Sequence, residues 1–333
     1  MTEFGYALSA EEHAPADLVR HARVAEEAGL TFALVSDHFH PWIDGQGHSA
    51  FVWSVLGGIA NATETLRVGT GVTCPTIRIH PAIVAHAAAT TAAMFGDRFF
   101  LGLGTGENLN EHVLGDPWPE WDVRAEMLDE AIEVIRALWT GEVVTHRGRY
   151  YTVQNARLYT LPSAPPPIHI AASGERMARR AGSVGDGLIG TAPDKALLRA
   201  FDQAGGKGKP HIGQVTVCWA KRVGEARRTA HEWWPTAGIP GEATQELPNP
   251  AHFEQLASLV TEEQIAERIP CGPDVAVHVK AVRAYVDAGY DQVYLHQVGP
   301  DQEGFLDFVA TELLPALGSR SRKSQEATAA TPA

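Results

Sequence analysis

The feature that most limits the fold is a count. Short apolar runs alternate with helical stretches eight times along the chain. Strands are predicted at Phe4–Leu8, in the Thr31–Val35 run, and at Arg67–Pro75, Phe99–Glu107, Pro167–Ala172, Gly187–Thr191, Gly213–Ala220 and Asp291–His296. Helices are predicted between and after them. Arg124–Thr140 is the clearest, with Leu128, Ala131, Ile132, Ile135 and Leu138 on one stripe. Strands that are apolar along their whole length suit a parallel sheet covered on both faces. Eight such units predict a (β/α)8 barrel. A doubly wound sheet ranks second, because it more often stops near six strands.

Two stretches break the alternation. Residues 143–161 hold a strand-like pair around Arg147-Gly148-Arg149 and read as a hairpin. Residues 221–273, with Trp233, Trp234 and several prolines, read as helical turns packed over the carboxyl-end mouth of the barrel. Residues 1–318 are expected to form one domain. The Ser/Arg/Lys/Ala/Thr-rich tail, 319–333, is expected to be disordered.

Composition excludes several classes of function. The net charge of -13 lacks the basic footprint that sequence-independent nucleic-acid binding needs. No apolar run approaches the roughly 20 residues required to cross a bilayer. Cys74, Cys218 and Cys271 are too far apart for a metal or redox motif. The amino terminus enters a strand directly, so a cytoplasmic protein acting on a small molecule is expected.

Ligands of parallel sheets bind at the carboxyl ends of the strands, and four predicted strand ends carry suitable residues. The second ends in Asp37-His38-Phe39-His40-Pro41-Trp42. The third contains Gly69-Thr70-Gly71-Val72-Thr73-Cys74, whose glycines suit a bulge approached by something flat. The fourth carries Gly104-Thr105-Gly106-Glu107-Asn108-Leu109-Asn110, without the GxGxxG spacing of a dinucleotide fold. The fifth carries Ala171-Ala172-Ser173-Gly174 before a helix, a plausible phosphate cradle. His38 and His40 lack a third ligand nearby, so no metal is assigned.

Together, the segments Ser36–Trp42, Gly104–Asn110 and Ala171–Gly174 resemble the luciferase-like, coenzyme F420-dependent oxidoreductases, and above all their glucose-6-phosphate dehydrogenase group. The resemblance implies a barrel that binds the deazaflavin at its mouth, a homodimer, and a non-proline cis peptide at Gly71-Val72. It also implies a dehydrogenase that moves a hydride from an alcohol or hemiacetal carbon, a sugar or sugar phosphate being among the candidates, to C5 of F420. His38 would be the base, Glu107 would serve the proton at the deazaflavin, and Trp42 would lie beside the substrate. Asp37, Gly71, Val72, Cys74, Glu107, Asn110, Ala171, Ala172, Ser173, Gly174 and Thr191 would line the cofactor. Alternatives are a reductase that uses reduced F420 on an activated double bond, an FMN-dependent monooxygenase of the same fold, and a non-catalytic F420 carrier. In the glucose-6-phosphate group, two lysines and an arginine clamp the phosphate. Here the lysine positions fall at Asp194, beside Lys195, and at Thr244, while the arginine is Arg268. Lys195, Arg268, His40 and Trp42 are the expected substrate contacts, and glucose 6-phosphate is expected to be a poor substrate.

Overall fold

The computed structural model describes residues 2–318, so the predicted tail at 319–333 lies outside the described residues. The elements run β1 (Glu3–Leu8), α1 (Pro15–Glu27), β2 (Phe32–Val35), α2 (Val52–Ala62), β3 (Arg67–Thr70), α3 (Pro81–Phe95), β4 (Phe99–Leu103), α4 (Asn108–Glu111) and α5 (Trp121–Leu138). Next come β5 (Val144–Arg147), β6 (Thr152–Ala156), β7 (Ile168–Ala171), α6 (Glu175–Val184), β8 (Gly187–Gly190), α7 (Lys195–Phe201) and β9 (His211–Val217). Then follow α8 (Val223–Trp233), α9 (Ala243–Glu246), α10 (Pro250–Ala257), α11 (Glu262–Arg268), α12 (Val275–Ala288), β10 (Gln292–Gln297) and α13 (Gln302–Phe308), whose helical course continues through Val309–Leu313 and Leu314–Ala316. The strands β1, β10, β9, β8, β7, β4, β3 and β2 pair in that order into a closed barrel, all in parallel.

Helix faces and strand outer faces meet as the residue patterns require. Leu128, Ala131, Ile132, Ile135 and Leu138 of α5 are all buried. So are Leu18, Ala22 and Ala25 of α1. The barrel interior holds a second, smaller cluster of Phe32, Leu34, Phe100, Ile189, Ile212 and Tyr294. These plug the lumen below the mouth, so a ligand has room only at the carboxyl end.

Two strands are shorter than their apolar runs. β3 stops at Thr70 and β4 at Leu103, before Gly71 and Gly104, and beyond them only an isolated bridge joins Thr73 to Leu103. A Cβ on Gly104 would lie 2.8 Å from Val72 Cγ2, so these two strand ends approach too closely for side chains. The Gly71–Val72 peptide is cis. The β5–β6 hairpin is antiparallel. The stretch between β9 and α12 folds into α8 to α11, and its Trp234, Thr244 and Gln245 reach the mouth.

Candidate active site

Every barrel strand, or the loop that follows it, contributes wall to one cavity of about 390 Å³. His38 follows β2 after a turn in which the Ser36 amide donates to Leu8 O (3.2 Å). Its Nδ1 lies 3.2 Å from the His40 carbonyl. A carbonyl only accepts, so Nδ1 keeps a ring proton in either charge state, and Nε2, which faces carboxylate oxygens that favour the imidazolium, is the nitrogen that gains or loses its proton. Nε2 sits 3.3 Å from Glu11 Oε1 and 3.5 Å from Glu107 Oε2.

Glu11 is fixed from both sides. Its Oε2 accepts the hydroxyls of Ser36 (2.5 Å) and Ser9 (3.0 Å), leaving Oε1 to His38. Burial alone would raise this carboxyl. The His38 charge, the Ser36 hydroxyl, its own backbone amide and Ser9 outweigh burial and hold it below the usual range. Burial likewise depresses His38, yet Glu11, Glu107, the His40 carbonyl and Asp37 together lift the imidazole above 6.5. Glu107 goes the other way. Burial and the Glu11 charge raise it, against His38 and Asn110, so it holds its proton further up the pH scale. Asn110 donates to Glu107 Oε2 (3.2 Å) and accepts from the amides of Phe39 and His40 (2.9 and 3.2 Å). One side chain thus ties the β4 loop to the β2 loop.

Beneath these groups lies a buried ionic knot. Asp37 accepts from Thr73 Oγ1 (2.7 Å) and from Arg78 Nη2 (2.9 Å). Arg78 also meets Glu111, through its amide (2.9 Å) and its Nε (3.4 Å). Trp42 stands with its ring 5.1 Å from that of His38 and edge-on to Phe253 of α10 at 5.3 Å. Gln46 accepts the Trp42 amide and donates to Trp233 O, each at 2.9 Å, so the insertion braces this loop.

Residues 1–292 match the family described as luciferase-like monooxygenase. The chain belongs to the luciferase-like family. Among its relatives, the F420-dependent hydroxymycolic acid dehydrogenase of Mycobacterium tuberculosis is 40% identical over 94% of this chain and 88% of its own. An F420-dependent glucose-6-phosphate dehydrogenase of Beutenbergia cavernae is 36% identical over 97% and 99%. An F420-dependent secondary alcohol dehydrogenase, solved with an F420–acetone adduct, superposes with a TM-score of 0.87 at 30% identity, covering 95% of this chain and 99% of that one.

In this luciferase-like barrel, His38, Trp42, Glu107, Asp37, Gly71, Val72, Cys74, Asn110, Ala171, Ala172, Ser173 and Thr191 all reach the cavity wall. Four of the expected residues stand off it. Gly174 is the exposed N-cap of α6, one step past Ser173. His40 turns its Nδ1 to Leu109 O at 2.8 Å, with its ring beside His112. Lys195 is exposed on α7, whose N-cap Asp194 spends its carboxylate on the Ala196 amide (2.7 Å). Arg268 is exposed and donates to Ala237 O at 2.8 Å, within the insertion. Thr244, which the resemblance set at a lysine position, does line the cavity. Sequence reading missed Glu11, Arg78, Gln214, Trp234, Tyr294 and His296. Two signals were available: consecutive carboxylates just past β1, and a histidine closing the last barrel strand.

Among the described residues, no helix is long and apolar enough to cross a membrane. Among the same residues, no cluster of His, Cys, Asp and Glu is arranged to hold a metal ion.

Proposed function

We propose that this protein is a coenzyme F420-dependent dehydrogenase that oxidises an uncharged alcohol. The observation that carries the reading is His38 Nε2. It faces two carboxylates in a cavity on whose wall, among the described residues, no lysine or arginine stands.

The wall from β3 to β7 fits a flat ring. A Cβ on Gly106 (φ +79°) would lie 2.6 Å from Cys74 Sγ, and Gly104 is equally closed to side chains by Val72. With Ala171 and Ala172 these residues leave a smooth strip. Asp37, Val72, Cys74, Asn110, Ser173 and Thr191 would hold F420 along it, and the first amides of α6 would face its phosphate. When bound, F420 supplies the hydride acceptor at its C5 carbon. Neutral His38 takes the hydroxyl proton at Nε2, and the positive charge that results is stabilised by Glu11. Glu107, whose carboxyl is raised by burial, would hold its proton at the edge of the strip, ready for donation to a bound ring. Trp42 closes the substrate side and excludes water.

A substrate phosphate would find, among the described residues, no lysine or arginine on the wall to answer it. Losing two charge-assisted hydrogen bonds costs about 3–6 kcal/mol. We therefore expect kcat/KM for glucose 6-phosphate to fall at least about 10²-fold below that for neutral secondary alcohols, followed by loss of the oxidised F420 absorbance. Efficient glucose 6-phosphate oxidation would overturn the substrate reading. Tighter binding of FMN than of F420 would overturn the cofactor reading.

The pH dependence follows from the same pair. Folding raises His38, so its contribution to stability is whole below its unfolded value near 6.5 and fades as pH rises through the raised folded value. Folding lowers Glu11, whose contribution is present above its unfolded 4.5 and fades as pH falls through the lowered folded value. Alcohol oxidation needs neutral His38, so kcat/KM is expected to climb with pH through an inflection above 6.5. Glu11→Gln is expected to move that inflection toward acid, because it removes the nearer carboxylate. An inflection that stays in place would separate Glu11 from the base.

Homodimerisation is supported by one surface. Ile83 and Met94 on α3, 60% and 48% exposed, lie on the same helix face, and Phe51 just before α2 is 55% exposed. Sedimentation is expected to show a dimer that Ile83→Glu with Met94→Glu dissociates. A wild-type monomer would exclude it.

A further inference from the structure

We infer that His296, held by Glu12, is a second hydrogen-bonding post in the cavity, and that the substrate is an alcohol bearing a second hydroxyl group. This rests on the dehydrogenase reading above and narrows its substrate class.

β1 lies between β2 and β10 in the barrel. The loop after it sends consecutive carboxylates to opposite sides: Glu11 to His38 beyond β2, and Glu12 to His296 on β10. Glu12 Oε2 is 3.0 Å from His296 Nε2, while Glu12 Oε1 accepts the Gly299 amide at 2.9 Å. The carboxylate accepts at both oxygens, so Nε2 carries the ring proton and Nδ1 is left as an acceptor. The two side chains are 3% and 0% exposed, yet the ring forms part of the cavity wall.

Among the described residues, Nδ1 has one hydrogen-bonding neighbour, Thr216 Oγ1 at 3.4 Å, longer than an ordinary hydrogen bond from a hydroxyl. It therefore keeps capacity for a closer donor. Trp234 of the insertion packs edge-on against the ring at 4.5 Å and holds its plane. Gln214 reaches Thr216 Oγ1 at 3.5 Å and accepts the Tyr294 hydroxyl at 2.8 Å. This makes a neutral polar ladder across β9 and β10, on the other side of the barrel from the glycine strip of β3 and β4. Glu12 is already engaged and no other carboxylate stands in the ladder, so the group it recognises is a hydroxyl rather than an ammonium. A carboxylate would meet an acceptor nitrogen backed by a negative charge.

The test compares cyclohexanol with the cyclohexanediol regioisomers, using the full-length protein loaded with F420. At least one diol is expected to exceed cyclohexanol in kcat/KM by about tenfold, the effect of one hydrogen bond in a buried site. That ratio is expected to fall to near one in His296→Phe. It should recover in part in His296→Asn, whose Oδ1 stands where Nδ1 did. Heteronuclear NMR of isotopically labelled histidines reads the ring without turnover. It should show the Nε2-protonated tautomer, with an Nδ1 resonance moved by the preferred diol and not by cyclohexanol. Absence of turnover with every alcohol would sink the dehydrogenase reading, while the NMR arm still decides the role of His296. An Nδ1-protonated ring, or an equal diol preference in wild type and His296→Phe, overturns the inference. So does a larger shift with aminocyclohexanol or hydroxycyclohexanecarboxylate than with any diol.

Discussion

His38→Ala is expected to lower turnover by about 10²–10⁴, the usual contribution of a positioned general base, while F420 affinity changes little. The ring packs 5.1 Å from Trp42, and its Nε2 points toward Glu11 and Glu107. Truncation also leaves Glu11 buried without its imidazole, so some stability is lost with the rate. His38→Gln separates the two effects, because it refills the volume and supplies no base. Turnover, F420 affinity and melting temperature measured on both variants decide the matter. If turnover per folded molecule stays near wild type in His38→Ala, the imidazole is a packing group and another base must be sought.

Arg78→Ala is expected to be the most destabilising single change at the site. The guanidinium is 7% exposed and joins Asp37 and Glu111, each 1% exposed. Removing one member of a buried ionic cluster strands the charges of the others, at about 3–5 kcal/mol. Burial already raises the Glu111 carboxyl, and Arg78 is the main influence lowering it. The variant should therefore lose less stability at acid pH, where that carboxyl takes up a proton. Urea unfolding across pH measures both effects. Combining Arg78→Met with Asp37→Asn and Glu111→Gln should restore most of the loss, since no charge is then stranded. A loss below about 1 kcal/mol would mean that solvent reaches the cluster.

Much of this was legible in the chain itself. Eight apolar runs, each with a helix behind it, determined a barrel, because strands hidden on both faces leave few other ways to bury that much apolar surface. Strand-end placement brought Asp37, His38, Trp42 and Glu107 to one mouth for the same reason: a parallel barrel directs every βα loop to one end. In the sequence the glycines at 104 and 106 say only that a dinucleotide spacing is lacking, and the structure shows that a Cβ at either would meet the end of β3 below 3 Å. Lys195 and Arg268, expected as substrate contacts, stand off the cavity wall. A sequence position says that a cation is nearby, but not whether it faces the cavity or caps its own insertion.

What the tertiary structure alone decided is which charges meet. Glu12 and His296 are 284 positions apart, and Arg78 reaches Asp37 across 41. Barrel closure places β1 against β10, which turns the adjacent Glu11 and Glu12 into partners for two separate imidazoles. The periodicity of a chain records which side of an element is apolar, because burial is a local and additive preference. It carries no record of ion pairing, because the partners are fixed by closure and by a distance of a few ångströms that no single segment encodes.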